Sequence, residues 1–221
     1  MIVTIDGPSG TGKSTVARLL AKKMHFSFYD TGALYRSVAW WILQNRIALD
    51  KIQEQLPSFC FRIEEGSEGK KYFVHEEEVT SLIRSPEITA LASKIAALKE
   101  VREALLPLQR LYAKEHDSVF EGRDLGTVVF PLADIKVFLT AKSLVRAKRR
   151  YQEMIPQEMT LQDVLESIEK RDRQDSQRDI APLKCPDDAF VLDTSDLSID
   201  QVVDVLFNYI LTKKKNARLA D

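Results

Sequence analysis

The chain opens on a short apolar run, residues 2–6, that leads straight into glycine, the pattern of a buried parallel strand. Helical spacing follows, with Val16, Leu19, Leu20 and Met24 on one face of a helix predicted over 14–24. Asp30-Thr31-Gly32 is predicted to open a second helix that runs to about Gln44, with Leu34, Val38, Trp41 and Ile42 as its apolar stripe. From Phe59 the period changes to alternation: Phe59, Phe61 and Ile63, then Gly66 and Gly69, then Tyr72 and Val74. This reads as a hairpin, with a third short strand at Val79. Helical spacing resumes at Ile88, Leu91, Ala92, Ile95 and Leu98, so the hairpin is inserted between helices. Another helix is predicted from Val101 to about Glu115, which Pro107 should kink or divide.

Three more apolar runs, 118–120, 135–140 and 189–192, alternate with helical or loop sequence and join the first run in a parallel sheet. A helix over about 160–179 precedes the last of them. The final helix, 199–211, has Ser198 and Gln201 at capping-box spacing, and Lys213-Lys214-Lys215 reads as its solvated end. The fold class is α/β, a central parallel sheet flanked by helices with a small inserted antiparallel β element. With no repeat and no linker, 1–221 reads as a single domain.

Composition narrows the class. At 221 residues, 44% hydrophobic and 8% aromatic, the chain has enough apolar material for a core, which excludes disorder. Its 32 Lys and Arg against 33 Asp and Glu leave no overall basic field for nucleic acid or anionic membrane. The longest apolar run, 38–43, is far short of the ~18–20 residues of a membrane span. A secretory leader is not expected, because a phosphate-binding motif starts at Gly7. Cys60 and Cys185 form no CxxC pair and His25, His75 and His116 are scattered, which argues against a disulfide scaffold or a zinc site and for a reducing cytoplasm.

Gly7-Pro8-Ser9-Gly10-Thr11-Gly12-Lys13-Ser14 satisfies G-x-x-x-x-G-K-[ST] in full, between a strand and a helix. Glycines let consecutive backbone N–H groups turn inward around an anion, and the following helix adds its positive end. Lys13 supplies charge for the β- and γ-phosphates, and Ser14 offers a hydroxyl to Mg²⁺. The D-x-x-G and N-K-x-D strings of switch GTPases do not occur, and a motor needs a larger chain or partners. Phosphoryl transfer to a small acceptor remains.

Arginines point to the acceptor. In the 160–179 helix the stripe Leu161, Val164, Leu165, Ile168 continues as Arg171, Asp175, Arg178, so a core-facing stripe turns charged and must meet a wet cleft or a charged ligand. Arg146, Arg149 and Arg150 share a helix face and could close over a triphosphate. Gly122-Arg123-Asp124 lies at a strand's carboxyl end, where open α/β sheets bind ligands. A phosphate monoester acceptor, dianionic near neutrality, needs charge neutralisation and no base. An alcohol acceptor would need a carboxylate base, for which Asp30 and Asp124 are available, and a nucleotide-binding regulator without turnover is a third reading.

Six strings carry a resemblance: I-D-G-P-S-G-T-G-K-S-T (5–15), D-T-G-A-L-Y-R (30–36), A-S-K-I-A-A (92–97), V-R-E-A-L-L (101–106), E-G-R-D-L-G-T-V-V-F-P (121–131) and R-D-x-x-D-x-x-R-x-x-A-P-L (171–183). In this order and with a β insertion near 59–80, the chain resembles the bacterial-type cytidylate kinases. The resemblance implies a phosphate-loop kinase that moves the γ-phosphoryl of ATP, with Mg²⁺, to CMP or dCMP; no obligate protein partner is evident in the sequence. It implies an acceptor-binding insertion over about 31–115 and a helical lid over about 142–179. ATP would be held by residues 7–15, Thr15 included, with Arg146 and Arg149. Lys13, Arg123 and Arg178 would be catalytic. The acceptor would meet Thr31, Arg36, Arg123, Arg171 and Arg178 at its phosphate and sugar, Asp175 at the sugar hydroxyls, and Ser93, Arg102 and Asp124 at the base. The chain departs from the pattern at Glu121, where Asp is common, and at Gln174 and Ser176, where Arg is common, which leaves the lid fewer charges.

Overall fold

The computed structural model describes residues 1–66, 69–114, 116–153 and 159–220, with side chains to residue 216 in the last helix. In chain order the elements are β1 (Ile2–Asp6), α1 (Lys13–Met24), β2 (Ser27–Asp30), α2 (Thr31–Gln44), α3 (Ile52–Gln55), β3 (Phe61–Gly66), β4 (Gly69–Val74) and β5 (Glu77–Glu78). They continue with α4 (Pro86–Ile95), α5 (Lys99–Leu111), β6 (Ser118–Glu121), β7 (Ile135–Thr140), α6 (Ser143–Glu153), α7 (Leu161–Gln177), β8 (Phe190–Asp193) and α8 (Ile199–Ala220). A π-turn covers Leu125–Val129. Two compact units result, residues 1–29 with 113–221, and residues 30–112.

In the first unit a five-stranded sheet has the order β2-β6-β1-β7-β8. β1 pairs parallel with β6, Ile2 opposite Ser118, and with β7, Val3 opposite Ile135; β7 pairs parallel with β8. Central β1 is covered on both faces, so Val3, Thr4 and Ile5 are all fully buried and the strand reads as one apolar run. Val3, Ile5, Val16, Leu20, Val119, Leu139, Leu206 and Ile210 form the core between the sheet, α1 and α8. The chain leaves β1 for one side of the sheet and later crosses to β7 on the other. The loops after β1, β6 and β7 therefore flank the place where strand order reverses, where such sheets hold ligands. Ala147, Val164 and Ile168 make a separate small core that joins α6 to α7. Thr160 and Asp163 cap α7 reciprocally, which fixes where it begins.

Strand β2 is an addition to the four strands expected. Helix α1 ends on His25 in the left-handed region, φ 57°, and only Phe26 separates it from Ser27, whose N–H donates to Asp117 O at 2.9 Å. Four residues are too few to show a period. Helix α8 runs past Leu211 to Ala220, so the lysine tail is helical. Lys214 in it is half-buried, over the Phe26 ring and 3.9 Å from Asp117, while Lys213 and Lys215 are solvated. Ser198 and Gln201 exchange the capping bonds expected of them.

The second unit has its own core, in which Leu34, Val38, Trp41 and Ile42 of α2 meet Tyr72, Val74, Val79, Ile83, Ile88, Ile95 and Leu105. β3, β4 and β5 form an antiparallel sheet, with Phe61 opposite Val74 and Gly66 opposite Gly69; residues 67 and 68 of the hairpin lie outside those described. Pro107 does not divide α5. It is exposed, as is Glu103, whose carbonyl loses its helical donor and can turn to water. The helix stops at Leu111, and Glu115, where it was expected to end, lies outside the described residues.

Candidate active site

The loop after β1 is shaped by its glycines and its lysine. Gly7 holds φ +142°, and a Cβ there would stand 2.0 Å from Leu139 O, so no side chain fits. Gly12, φ 86°, is the left-handed residue from which α1 starts, pointing the first free N–H groups of the helix into the loop. Lys13 is buried; its Nζ donates to Pro8 O at 2.5 Å and to Thr11 Oγ1 at 3.3 Å. Burial, with the cations of Arg123 and Arg171 nearby, brings the Lys13 ammonium down to about 7, although Glu121 and Asp172 pull the other way. A polyanion in the loop would restore its proton. Thr15 lies on the first turn of α1, and exposed Ser14 donates its hydroxyl to Glu121 Oε2 at 3.0 Å.

Carboxylates and arginines interlock at the carboxyl end of the sheet. Arg123 Nε donates to Asp175 Oδ2 at 3.1 Å, and its Nη1 lies 3.5 Å from Glu121 Oε1. Arg178 Nη2 donates to Asp124 Oδ1 at 3.4 Å, its Nη1 is 4.0 Å from Asp175 Oδ1, and its Nε donates to Ala181 O at 2.6 Å. Burial alone would lower the Arg123 value, but Asp175 and Glu121 outweigh it and the guanidinium is held above its ordinary range. Asp6, at the end of β1, accepts N–H bonds from Leu125 at 3.0 Å and Gly126 at 2.8 Å and so anchors the π-turn that follows Asp124. Burial pushes its carboxyl up to about 7 against those two bonds and Lys13, with Asp124 adding to the rise.

Of the α6 arginines, Arg146 is buried and closest to the loop. Its Nη1 donates to Ser9 O at 2.7 Å and pairs with Asp172 of α7, while its Nε donates to Ala141 O at 3.0 Å. Arg149 donates to Thr194 Oγ1 at 3.0 Å and to Thr194 O at 2.6 Å, so it ties α6 to the loop after β8. Arg150 is exposed and faces Glu153. The lid range 142–179 includes residues 154–158, which lie outside those described.

In the unit 30–112, Asp30 caps α2, accepting from Ala33 N at 2.9 Å, and Arg36 Nη2 donates to it at 2.8 Å, with Arg84 Nη2 at 3.5 Å. Burial would raise the Asp30 carboxyl, but the two guanidinium groups and the cap bond hold it below the usual carboxylate range. Thr31 is buried in the first turn of α2, and Ser93 is half-buried on α4. Arg102 is buried on α5, donating to Ala96 O at 3.1 Å and stacking 5.7 Å above the Tyr35 ring.

The sequence thus points to the cations and to three of the carboxylates that hold them, Asp30, Asp124 and Asp175, and not to the rest. Glu121 as the Ser14 partner, Asp172, Asp6 and the Asp30–Arg84 pair were not singled out. A strand-terminal acid beside G-R-D and an acid next to Arg171 were the available signals.

The family model described as cytidylate kinase matches residues 3–212. A cytidylate kinase of Protochlamydia amoebophila (strain UWE25) is 50% identical over 218 residues, spanning 95% of this chain and 96% of that protein. One from Carboxydothermus hydrogenoformans is 43% identical over 215 residues, spanning 95% and 97%. Among solved structures, a gluconokinase from Sinorhizobium meliloti aligns over 99% of this chain and 96% of its own at TM-score 0.52 and 13% identity. A shikimate kinase from Acinetobacter baumannii in complex with shikimate aligns over 96% and 94% at 0.50 and 14%. These distant likenesses show the shared fold. The sequence matches go further, and the chain belongs to the cytidylate kinase family.

Proposed function

We propose that this protein transfers the γ-phosphoryl group of ATP to CMP or dCMP, releasing ADP and CDP or dCDP. The observation that carries this is a buried Lys13 set in a complete phosphate loop, on a chain whose family is cytidylate kinase. The Ser14 hydroxyl and Glu121 carboxylate, in contact with each other, form an oxygen donor set of the kind a hard divalent cation takes. They are the residues that would hold Mg²⁺. When bound, the ion neutralises phosphate charge.

The chain's own part is positioning and charge. Residues 7–15 cradle the triphosphate, Lys13 sits against its terminal phosphates, and Arg146 of α6 approaches from the lid side; Arg149 would have to leave Thr194 to join it. Arg123, Arg171 and Arg178 neutralise the phosphates that react, and Asp175 takes the sugar hydroxyls. In the other unit Thr31 and Arg36 serve the acceptor phosphate and sugar, and Ser93 and Arg102 the base. Asp124 accepts from the cytosine amine, a bond that uracil cannot make. The acceptor phosphate attacks with its own charge and needs no base, and the two candidate bases for an alcohol are both committed to arginines: Asp30 to Arg36 and Arg84, Asp124 to Arg178. Movement of α6 and α7 over the loop would exclude water. A reducing cytoplasm suits the chain, and among the described residues no helix is long and apolar enough to cross a membrane.

The test is ADP release with CMP, dCMP, UMP, AMP, gluconate and shikimate in parallel, with CDP identified directly. Turnover confined to a sugar acid, or stoichiometric binding without CDP, would overturn the proposal.

A further inference from the structure

Asp172 has no part in the acceptor chemistry assigned above, yet it touches the phosphate loop. It lies on α7 directly after Arg171, with a mostly buried side chain. Its Oδ1 accepts the backbone N–H of Ser9 at 2.9 Å, and its Oδ2 pairs with Arg146 Nη1, the atom that also donates to Ser9 O at 2.7 Å. One carboxylate therefore joins the loop, α6 and α7 in a closed circuit. A loop of this kind binds phosphate through backbone N–H groups and nearby cations, and Asp172 offers it an anionic oxygen pair of the same character. Its field reaches further, to Lys13 and Arg123.

We infer that Asp172 is a built-in competitor for the triphosphate: it occupies the Ser9 N–H and the Arg146 guanidinium that a phosphate would take, and triphosphate binding has to displace it, and α7 with it. The inference rests on the phosphate-loop reading. Two anions cannot share one N–H, and their mutual repulsion in a partly buried site adds to the conflict. Because α7 also carries Arg171 and Asp175 and ends at Arg178, displacing Asp172 transmits loop occupancy to the residues assigned to the acceptor. Asp172 is thus a positioning residue, acting through the loop and the helix.

The experiment measures the dissociation constant of ATP, and separately of inorganic tripolyphosphate, for the full chain and for Asp172→Asn, Asp172→Ala and Glu169→Gln. Glu169 is on the same helix, half-exposed and paired with Arg173 at 4.0 Å, so its substitution removes an equal charge without touching the loop. Asp172→Asn and Asp172→Ala are expected to bind both probes about tenfold more tightly than wild type, the scale of one charge-assisted hydrogen bond. Glu169→Gln should change binding by less than about twofold. KM for ATP should fall in the Asp172 variants without a rise in kcat. Unchanged or weaker binding in folded Asp172 variants overturns the inference, as does equal tightening in Glu169→Gln. If neither Asp172 variant folds, the carboxylate is a strut and the inference also fails. Should wild type bind neither probe, the phosphate-loop reading itself is at fault.

Discussion

Replacing Lys13 with Met should make the protein more stable while ending its activity. The substitution keeps a long apolar stem and removes the charge. In the folded chain the ammonium is buried among Arg123 and Arg171, and its value falls from the ordinary 10.5 to about 7. A depression of that size corresponds to a ceiling of about 5 kcal/mol held against folding, at about 1.4 kcal/mol per pH unit. Losing the bonds to Pro8 O and Thr11 Oγ1 gives back about 2–3 kcal/mol. The net gain is about 2 kcal/mol, a melting temperature higher by roughly 4–8 °C for a chain of this size. The sign of the pH dependence follows from the depressed value. Wild type is at no disadvantage above the unfolded lysine's range, loses stability as the pH falls from there, and reaches its full penalty near pH 7. The gap between variant and wild type should therefore be widest at neutral pH, vanish near about pH 9, where the remaining charge penalty equals the lost bonds, and reverse above it. Thermal melts of both proteins across that range, with transfer assays on the same preparations, provide the measurement. A variant that melts below wild type at neutral pH, or a gap that ignores pH, refutes the electrostatic argument. Retention of more than about a tenth of the transfer rate refutes the assignment of Lys13 to the reaction.

Asp124→Asn should shrink the CMP-over-UMP ratio of kcat/KM by about 1–3 kcal/mol, because an amide can donate to the uracil O4 where a carboxylate cannot. Equal losses on both substrates would move Asp124 out of base reading. Asp30→Asn should lower the melting temperature at neutral pH, since it weakens a buried pairing with Arg36 and Arg84. The Asp30 carboxyl is held below its unfolded value of 3.8, so its contribution is present above that value and is lost as the pH falls through the folded one. The acid limb of a stability curve should thus be flatter in the variant, and an unchanged acid limb would contradict the pairing.

What could be read in the sequence had a local cause. The phosphate loop was legible because its chemistry needs residues 7–14 at fixed spacing, and the charged continuation of α7 because a helix places Ile168, Arg171, Asp175 and Arg178 on one stripe. β2 was not legible, since its four residues pair only with a strand ninety residues on in the chain, as roughly the spacing from Ser27 to Ser118 requires. Pro107 misled for a tertiary reason: the carbonyl it deprives of a donor belongs to exposed Glu103. The site's counter-charges were the least accessible. Nothing local says that Glu121 will meet Ser14 or that Asp172 will reach Ser9, because both contacts depend on which loops share one edge of the sheet. Arg146 and Arg149 look equivalent in sequence, yet one turns to the phosphate loop and the other to Thr194.

The parallel pairing of β1 also dictates an order of assembly. Both neighbours of β1 come late: Ile2 waits for Ser118 and Val3 for Ile135, so this strand has no hydrogen-bonding partner until more than a hundred further residues have been made. Residues 30–112 form an unbroken segment with its own buried core and can close before that. Vectorial synthesis thus leaves an apolar, unpaired strand exposed while an intervening body folds. In pulse-labelled hydrogen exchange during refolding, amides of α2 and β4 should gain protection ahead of those of β1, and simultaneous protection would show that the long-range sheet nucleates the whole chain.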